Sequence, residues 1–304
     1  MIDPLWPNAG VWLAGDHPEP DVIVVGVPNS RSSLVASNAA LAPLETRERL
    51  NRFSTFHSEM GVDLQPVKVR DVGNWPVSEL DPVPLVGQLM RLTQDLPRAP
   101  LQIFLGGDNA ITRPLLASRG DLGRVGLIAF DAHHDVRALV NGPSNGNPVR
   151  GLIEEHGLPG QNVVQIGIHS FANSHAYRRY CEEAGITTVT VDQIEKIGIK
   201  TAVDVALNQL SASCDQIYVD IDIDVLDSAF APACPGARPG GLTVRQLSLG
   251  VARCAAHPGV TAMDFVEVDP AADRDHQTID VMAHLFLTAV SGFATGSRAR
   301  SRGN

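Results

Sequence analysis

VGLIAFDAHHD, residues Val125 to Asp135, is an apolar run that turns within one residue of its end into carboxylates and imidazoles. The run VGLIAF has the length of a strand, and without polar alternation it describes a strand covered on both faces. Similar runs recur at Asp21 to Val27, Leu101 to Leu105, Val163 to Ile168, Thr187 to Val191, Gln216 to Ile223 and Val260 to Val268. Helical spacing fills intervals between them at Pro43 to Phe53, Ala172 to Ala184, Ala202 to Leu210, Val244 to Ala256 and Ile279 to Val290. This alternation predicts an α/β chain: three α/β/α layers around a mostly parallel central sheet. No linker, repeat or composition shift divides it, so residues 1–296 read as a single domain and the last residues, 297–304 (SRARSRGN), as a flexible tail.

Open α/β sheets bind ligands beyond the carboxyl ends of their strands, and polar residues collect there in this chain. In an extended or tightly turned DAHHD segment Asp131, His133 and Asp135 point the same way, because side chains alternate with a period of two. The bland alternative is a polar loop capping the next helix. In DIDIDVLD, Asp220 to Asp227, four carboxylates crowd the end of an Ile- and Val-rich run. Burying them together is prohibitive unless cations neutralise them; otherwise this is an exposed acidic strand end. Mixed carboxylate and imidazole donors suit Mn²⁺ or a similar first-row ion. Glu267, in DFVEVDP, is an acidic residue within another apolar run, able either to bind a cationic substrate group or to cap the following turn.

Composition excludes several classes. The formal net charge of -10 argues against the phosphate backbone of a nucleic acid as partner and favours a small-molecule substrate. Cys181, Cys214, Cys234 and Cys254 form no close-spaced cluster, so reduced thiols are expected and neither structural zinc nor a disulfide framework. The opening MIDPLWPNAG lacks a basic segment followed by an apolar run, and no stretch reads as bilayer-spanning, so no membrane and a cytoplasmic location are expected.

GGDNAIT (Gly106 to Thr112), FDAHHD (Phe130 to Asp135), DIDIDVLD with APACPGARPGGLT (Asp220 to Thr243) and VEVDP (Val266 to Pro270) stand in the order of ureohydrolase motifs. The chain resembles that family, which includes arginase, agmatinase and formimidoylglutamase, over most of its length. The resemblance implies an arginase-like fold, a homo-oligomer (trimer or hexamer) and hydrolysis of a carbon–nitrogen bond by hydroxide held between two Mn²⁺ ions. By the same resemblance Asn109, Asp131, His133, Asp135, Asp222 and Asp224 are the metal ligands, with Asp131 and Asp222 bridging. Glu267 holds the substrate's amidinium and Asp135 relays a proton. Asp220 and Asp227 are not counted as ligands; Asp227 sits at a structural position.

Two departures narrow the substrate. Relatives carry histidine where Asn109 stands, and a neutral amide oxygen is a weaker ligand, so the first site is expected to be weak or tolerant of several metals. Guanidine-cleaving relatives carry another histidine where Asn145 stands, and an amide cannot shuttle protons. The SNGNP loop, Arg137 after DAHHDV, and IGIHSFANSHAY (Ile166 to Tyr177) resemble the formimidoylglutamase branch. That branch implies N-formimidoyl-L-glutamate as substrate, with Arg137, Asn145, Asn147 and Glu267 as substrate contacts and Arg150 or Arg178 as other candidate carboxylate clamps. The rival readings are a guanidino hydrolase releasing urea and a non-catalytic metal-binding member of the family. His134 is expected to point away from the ligands and His169 to stand near the pocket mouth.

Overall fold

Alternate residues of VIVVGV at Val22–Val27 pack into two different cores: Val22 and Val24 into one, Ile23, Val25 and Val27 into the other. A strand buried on both faces is the unit from which a helix-covered parallel sheet is built. The computed structural model describes residue 3 and residues 5–302. The strands in chain order are β1 (Val22–Val27), β2 (Phe56–His57), β3 (Val62–Asp63), β4 (Val69–Asn74), β5 (Leu101–Gly106), β6 (Val125–Phe130), β7 (Val163–Ile168), β8 (Thr187–Thr190), β9 (Gln216–Asp222) and β10 (Val260–Val266). The α-helices are α1 (Ala9–Leu13), α2 (Ala42–Arg49), α3 (Pro82–Gln94), α4 (Thr112–Ala117), α5 (Pro148–His156), α6 (His175–Ala184), α7 (Val191–Ile197), α8 (Ile199–Ser211), α9 (Val244–Ala256) and α10 (Gln277–Arg302).

Eight strands form one sheet in the order β4-β1-β5-β10-β9-β6-β7-β8, all pairings parallel, while β2 and β3 make a separate small hairpin. Residues from α2, α8, α9 and α10 cover one face and residues from α3, α4 and α5 the other. The α/β architecture expected from the sequence is thereby present. Register does the positioning: Phe130 pairs with Ile221 and Val266 with Asp222, so the chain leaves β6, β9 and β10 at one level.

Several elements differ from the sequence reading. Val191, read as the end of a strand, begins α7, because Thr190 and Gln193 form a reciprocal capping box that starts a helix there. β4 was missed because VRDVGN is a polar edge strand; α3 and α5 were missed as well, although each opens on a proline that suits a helix's first turn. α10 continues to Arg302, past residue 297 where a tail was expected, and residues 303 and 304 lie outside the described residues. Arg274–Ser297 is long and apolar enough to cross a membrane by length and composition, which the sequence reading did not credit; 72% of its most apolar window is buried, the setting of a core helix.

Candidate metal centre

Four neighbouring strands, β5, β10, β9 and β6, deliver their carboxyl ends to one place. β5 ends at Gly106, and a side chain on the next residue, Gly107, would meet the backbone oxygen of Asn29 at 1.8 Å, so only glycine lets the two segments touch. Asp108 then anchors this corner, accepting from the backbone of Ala110 (3.1 Å) and Ser32 (3.0 Å). Burial pushes its carboxyl up to about 7 despite those bonds. Asn109 follows, only 1% exposed, with its side chain among the acids that follow β6 and end β9.

After β6, Asp131 Oδ1 accepts from the backbone N–H of His133 (2.5 Å), and the Asp224 carboxylate accepts from that of Ala132 (3.1 Å). His133 Nδ1 lies 2.8 Å from Asp224 Oδ2 and 3.5 Å from Asp131 Oδ1. Asp222 Oδ1 in turn accepts from the backbone of Asp224 (2.8 Å). Asp135 and Glu267 reach the same space with positive φ, 53° and 70°, a conformation non-glycine residues rarely hold and one that collects at functional sites. Asp131, Asp135, Asp222, Asp224 and Glu267 are all buried.

Burial, then neighbouring negative charge, pushes the Asp222 and Asp135 carboxyls far above their ordinary range, and burial lifts Asp131 to about 6 and Glu267 to about 8. Burial works against a charge on His133, yet Asp224 and Asp131 hold its imidazole up at about 11. The Asn109 amide nitrogen meets the cluster too, donating to Asp135 Oδ2 at 2.8 Å and standing 3.3 and 3.4 Å from Asp222 and Asp131. This donor set fits divalent cations. Ligand atoms of Asp131, His133 and Asp224 lie within 4.8 Å of one another, as do those of Asp222, Asp224 and Cys234. Gly236 keeps the opening clear, since a side chain there would sit 2.2 Å from Asp224 Oδ2.

Over the cluster lies a cleft of about 150 Å³, reached past Arg137, Asn145, Tyr177 and Arg238. A larger hollow of about 550 Å³, between residues 53–60 and α9 and α10, lies away from the acidic cluster, and its Arg245 is already paired with Glu59.

The structure thus brings Asp131, His133, Asp135, Asp222, Asp224, Asn109, Glu267, Asn145 and Arg137 to one site. Asn145 Nδ2 donates to Glu267 Oε1 (3.0 Å), which also accepts from the backbone of Asn109 (2.8 Å). Asn147 has a different job from the substrate contact expected. It is buried, its oxygen accepts from Ser144 N and its nitrogen donates to Gly142, so it braces the loop before α5. Arg150 is held by Glu154 and the Tyr180 ring, and Arg178 by Glu182 and Thr188, which removes both as clamps. His134 turns away to Gln165 as expected; His169 is buried against the Val225 carbonyl rather than at the mouth. Asp227 accepts from the backbone of Ala229 and Gly240 and so pins the loop between them, which carries Arg238.

Sequence reasoning missed Cys234, whose Sγ lies 4.0 Å from Asp222 Oδ1, and Arg238 on the cleft rim. Their signal was proximity in sequence: both lie in the APACPGARPGG stretch that follows the acidic strand end. All four cysteines are free.

A family model described as "Arginase family" matches residues 20–292. Formimidoylglutamase of Halalkalibacterium halodurans is 38% identical over 277 residues, 88% of this chain and 86% of the relative. The structure of formimidoylglutamase from Bacillus subtilis superposes with a TM-score of 0.90 at 32% identity, covering 96% of this chain and 93% of that one. Formiminoglutamase of Trypanosoma cruzi, solved with Mn²⁺, shares the fold at a TM-score of 0.86 and 24% identity, covering 95% and 99% of the two chains.

Proposed function

Since the chain belongs to the arginase family, we propose that it is a metal-dependent amidine hydrolase that converts N-formimidoyl-L-glutamate and water to L-glutamate and formamide. The observation that carries the substrate is the polarity of the cleft: carboxylates form its floor and Arg137 and Arg238 its rim. No ion pair or side-chain hydrogen bond holds the Arg137 guanidinium among the described residues, and Arg238 donates only to the Ala237 carbonyl. A substrate with an amidinium at one end and two carboxylates at the other matches both. Agmatine, cationic at each end, matches only the floor.

Asp131, His133, Asp135, Asp222 and Asp224 would hold two Mn²⁺ ions, with Asn109 completing one shell through its side-chain oxygen. Divalent cations bound there supply a coordinated water acidified enough to give hydroxide near neutral pH. Glu267, with Oε1 already held by Asn109 N and Asn145 Nδ2, keeps Oε2 to accept from the amidinium and orient it. As the bond from the formimidoyl carbon to the glutamate nitrogen breaks, the leaving amine needs a proton, and Asp135 at the cleft floor is the carboxyl placed to pass one. Asn145 cannot titrate and serves to hold Glu267. A trimer or hexamer acting on a small molecule in the cytoplasm completes the proposal.

Purified protein loaded with Mn²⁺ and offered formimidoyl-glutamate, agmatine, guanidinobutyrate and arginine should release formamide from the first and little urea from the rest. Urea without formamide would overturn the substrate. Bound metal with no turnover on any of them would make the chain a non-catalytic member.

A further inference from the structure

Behind Asn109 the hydrogen bonds do not balance as placed. Thr112 Oγ1 lies 2.7 Å from Asp264 Oδ2, 2.9 Å from Asn109 Oδ1 and 3.5 Å from Asp220 Oδ1. A hydroxyl carries one hydrogen, so it can donate to one of the three. Asp264 Oδ2, which also accepts from Tyr218 Oη at 2.8 Å, offers the shortest contact and a charge-assisted bond. With its hydrogen on Asp264, Thr112 meets the Asn109 oxygen lone pair to lone pair. The Asn109 nitrogen meanwhile donates to Asp135 at 2.8 Å and stands near Asp222 and Asp131, contacts that suit the carboxylates only while no cation lies between them.

A half-turn of the amide reverses both contacts. Nδ2 then donates to Thr112 Oγ1, and Oδ1 faces the three carboxylates, which is favourable only with a cation between them. All the parts are rigidly held: Thr112, Asp264, Tyr218 and Asn109 are each at most 1% exposed. Asp264 stands beside Asp220 in the register of β10 on β9.

We propose that Thr112, fixed by Asp264 and Tyr218, is the positioning residue that turns the Asn109 side-chain oxygen onto a bound cation. This rests on the metal-holding reading of the cluster given above. It makes the weak neutral ligand dependable: the hydroxyl accepts from the amide nitrogen and penalises the orientation in which that nitrogen faces the metal.

The test is Mn²⁺ binding by chelator-stripped protein, read from the free-ion electron paramagnetic resonance signal rather than from turnover. The variants are Thr112→Val, Thr112→Ala, Thr112→Ser, Asn109→Ala and the Asn109→Ala/Thr112→Ala pair. Thr112→Val and Thr112→Ala should weaken one Mn²⁺ site by about 10- to 100-fold, the cost typical of losing a group that orients a ligand. Thr112→Ser, which keeps the hydroxyl, should stay close to wild type, and removing Thr112 from protein already lacking the Asn109 amide should cost little more. Wild-type binding in both hydroxyl-free variants would overturn the positioning role. So would an equal loss in the Asn109→Ala background, since Thr112 would then act through Asp264 and the fold. A wild-type protein that takes up no Mn²⁺ would instead sink the metal reading itself.

Discussion

Arg238 and Arg137 face the cleft without a carboxylate partner, and the substrate assignment makes them its anion clamp. Arg238→Ala and Arg137→Ala should each lower kcat/KM on formimidoyl-glutamate by about tenfold, chiefly through KM, at the low end for a charged hydrogen bond because both lie at an exposed rim. Mn²⁺ uptake should be unchanged, and unaltered KM in both variants would remove the dicarboxylate substrate. Glu267→Gln deletes the counter-charge of the amidinium and should cost about 100-fold or more in kcat/KM with metal still bound, which a steady-state assay beside a metal analysis would check. At this scale the sequence was most legible where burial makes charge costly: acids crowded at the ends of buried apolar runs cannot be kept there without positive charge beside them. That Asp131, His133 and Asp135 meet was legible too, but they meet through a turn and not along an extended face: β6 ends at Phe130, His133 N donates to Asp131 Oδ1 and Asp135 holds a φ of 53°. Arg238 and Asn147 were illegible for one reason: each lies in an irregular loop, and only the folded loop shows that one lines the cleft and the other braces itself.

Among the elements, the contact of α9 with α10 shows how small residues set a helix spacing. A side chain on Gly292 would come within 2.3 Å of the Ala252 backbone oxygen, and one on Gly296 within 2.2 Å of that of Ala256. Backbone cannot swing aside as a flexible side chain can. Gly292→Val should therefore destabilise the protein by about 1–3 kcal/mol or more, seen as a lower midpoint in thermal unfolding, whereas Thr295→Ala on the exposed side should change it little. An unchanged midpoint for the valine variant would mean that the helices can separate without loss. α9 itself was readable to the residue, Val244–Ala256, because Thr243 and Gln246 form a capping box at its start. β4 was not, since an edge strand needs apolar residues on one face only, and its Arg70, Asp71 and Asn74 break the pattern.

For the molecule as a whole, the concentration of acid at the carboxyl ends of the central strands couples stability to pH and metal. Burial holds the Asp131 and Asp264 carboxyls up at about 6, Asp108 at about 7 and Glu267 at about 8. In chelator-stripped protein these groups keep their protons in the folded chain where the unfolded chain, with carboxyl values near 4, has lost them. Their contribution to stability is full below about pH 4 and is lost as pH rises through 6 to 8. Mn²⁺ competes for the ionised carboxylates, so its stabilisation grows over the same window. Thermal melts should show the stripped protein weakening from about pH 5 to pH 8 while the gain on adding Mn²⁺ increases. A gain independent of pH would separate the metal from these acids. The alternation of apolar runs with helical spacing, and the acids at the ends of those runs, were determined by the sequence alone, because burial and backbone period act locally. Which strands lie side by side was decided only by the tertiary structure. The order β5-β10-β9-β6 joins residues more than a hundred positions apart, and the levels at which they meet, the arginines over them and the hydroxyl behind Asn109 come from pairing and packing that no local stretch of sequence encodes.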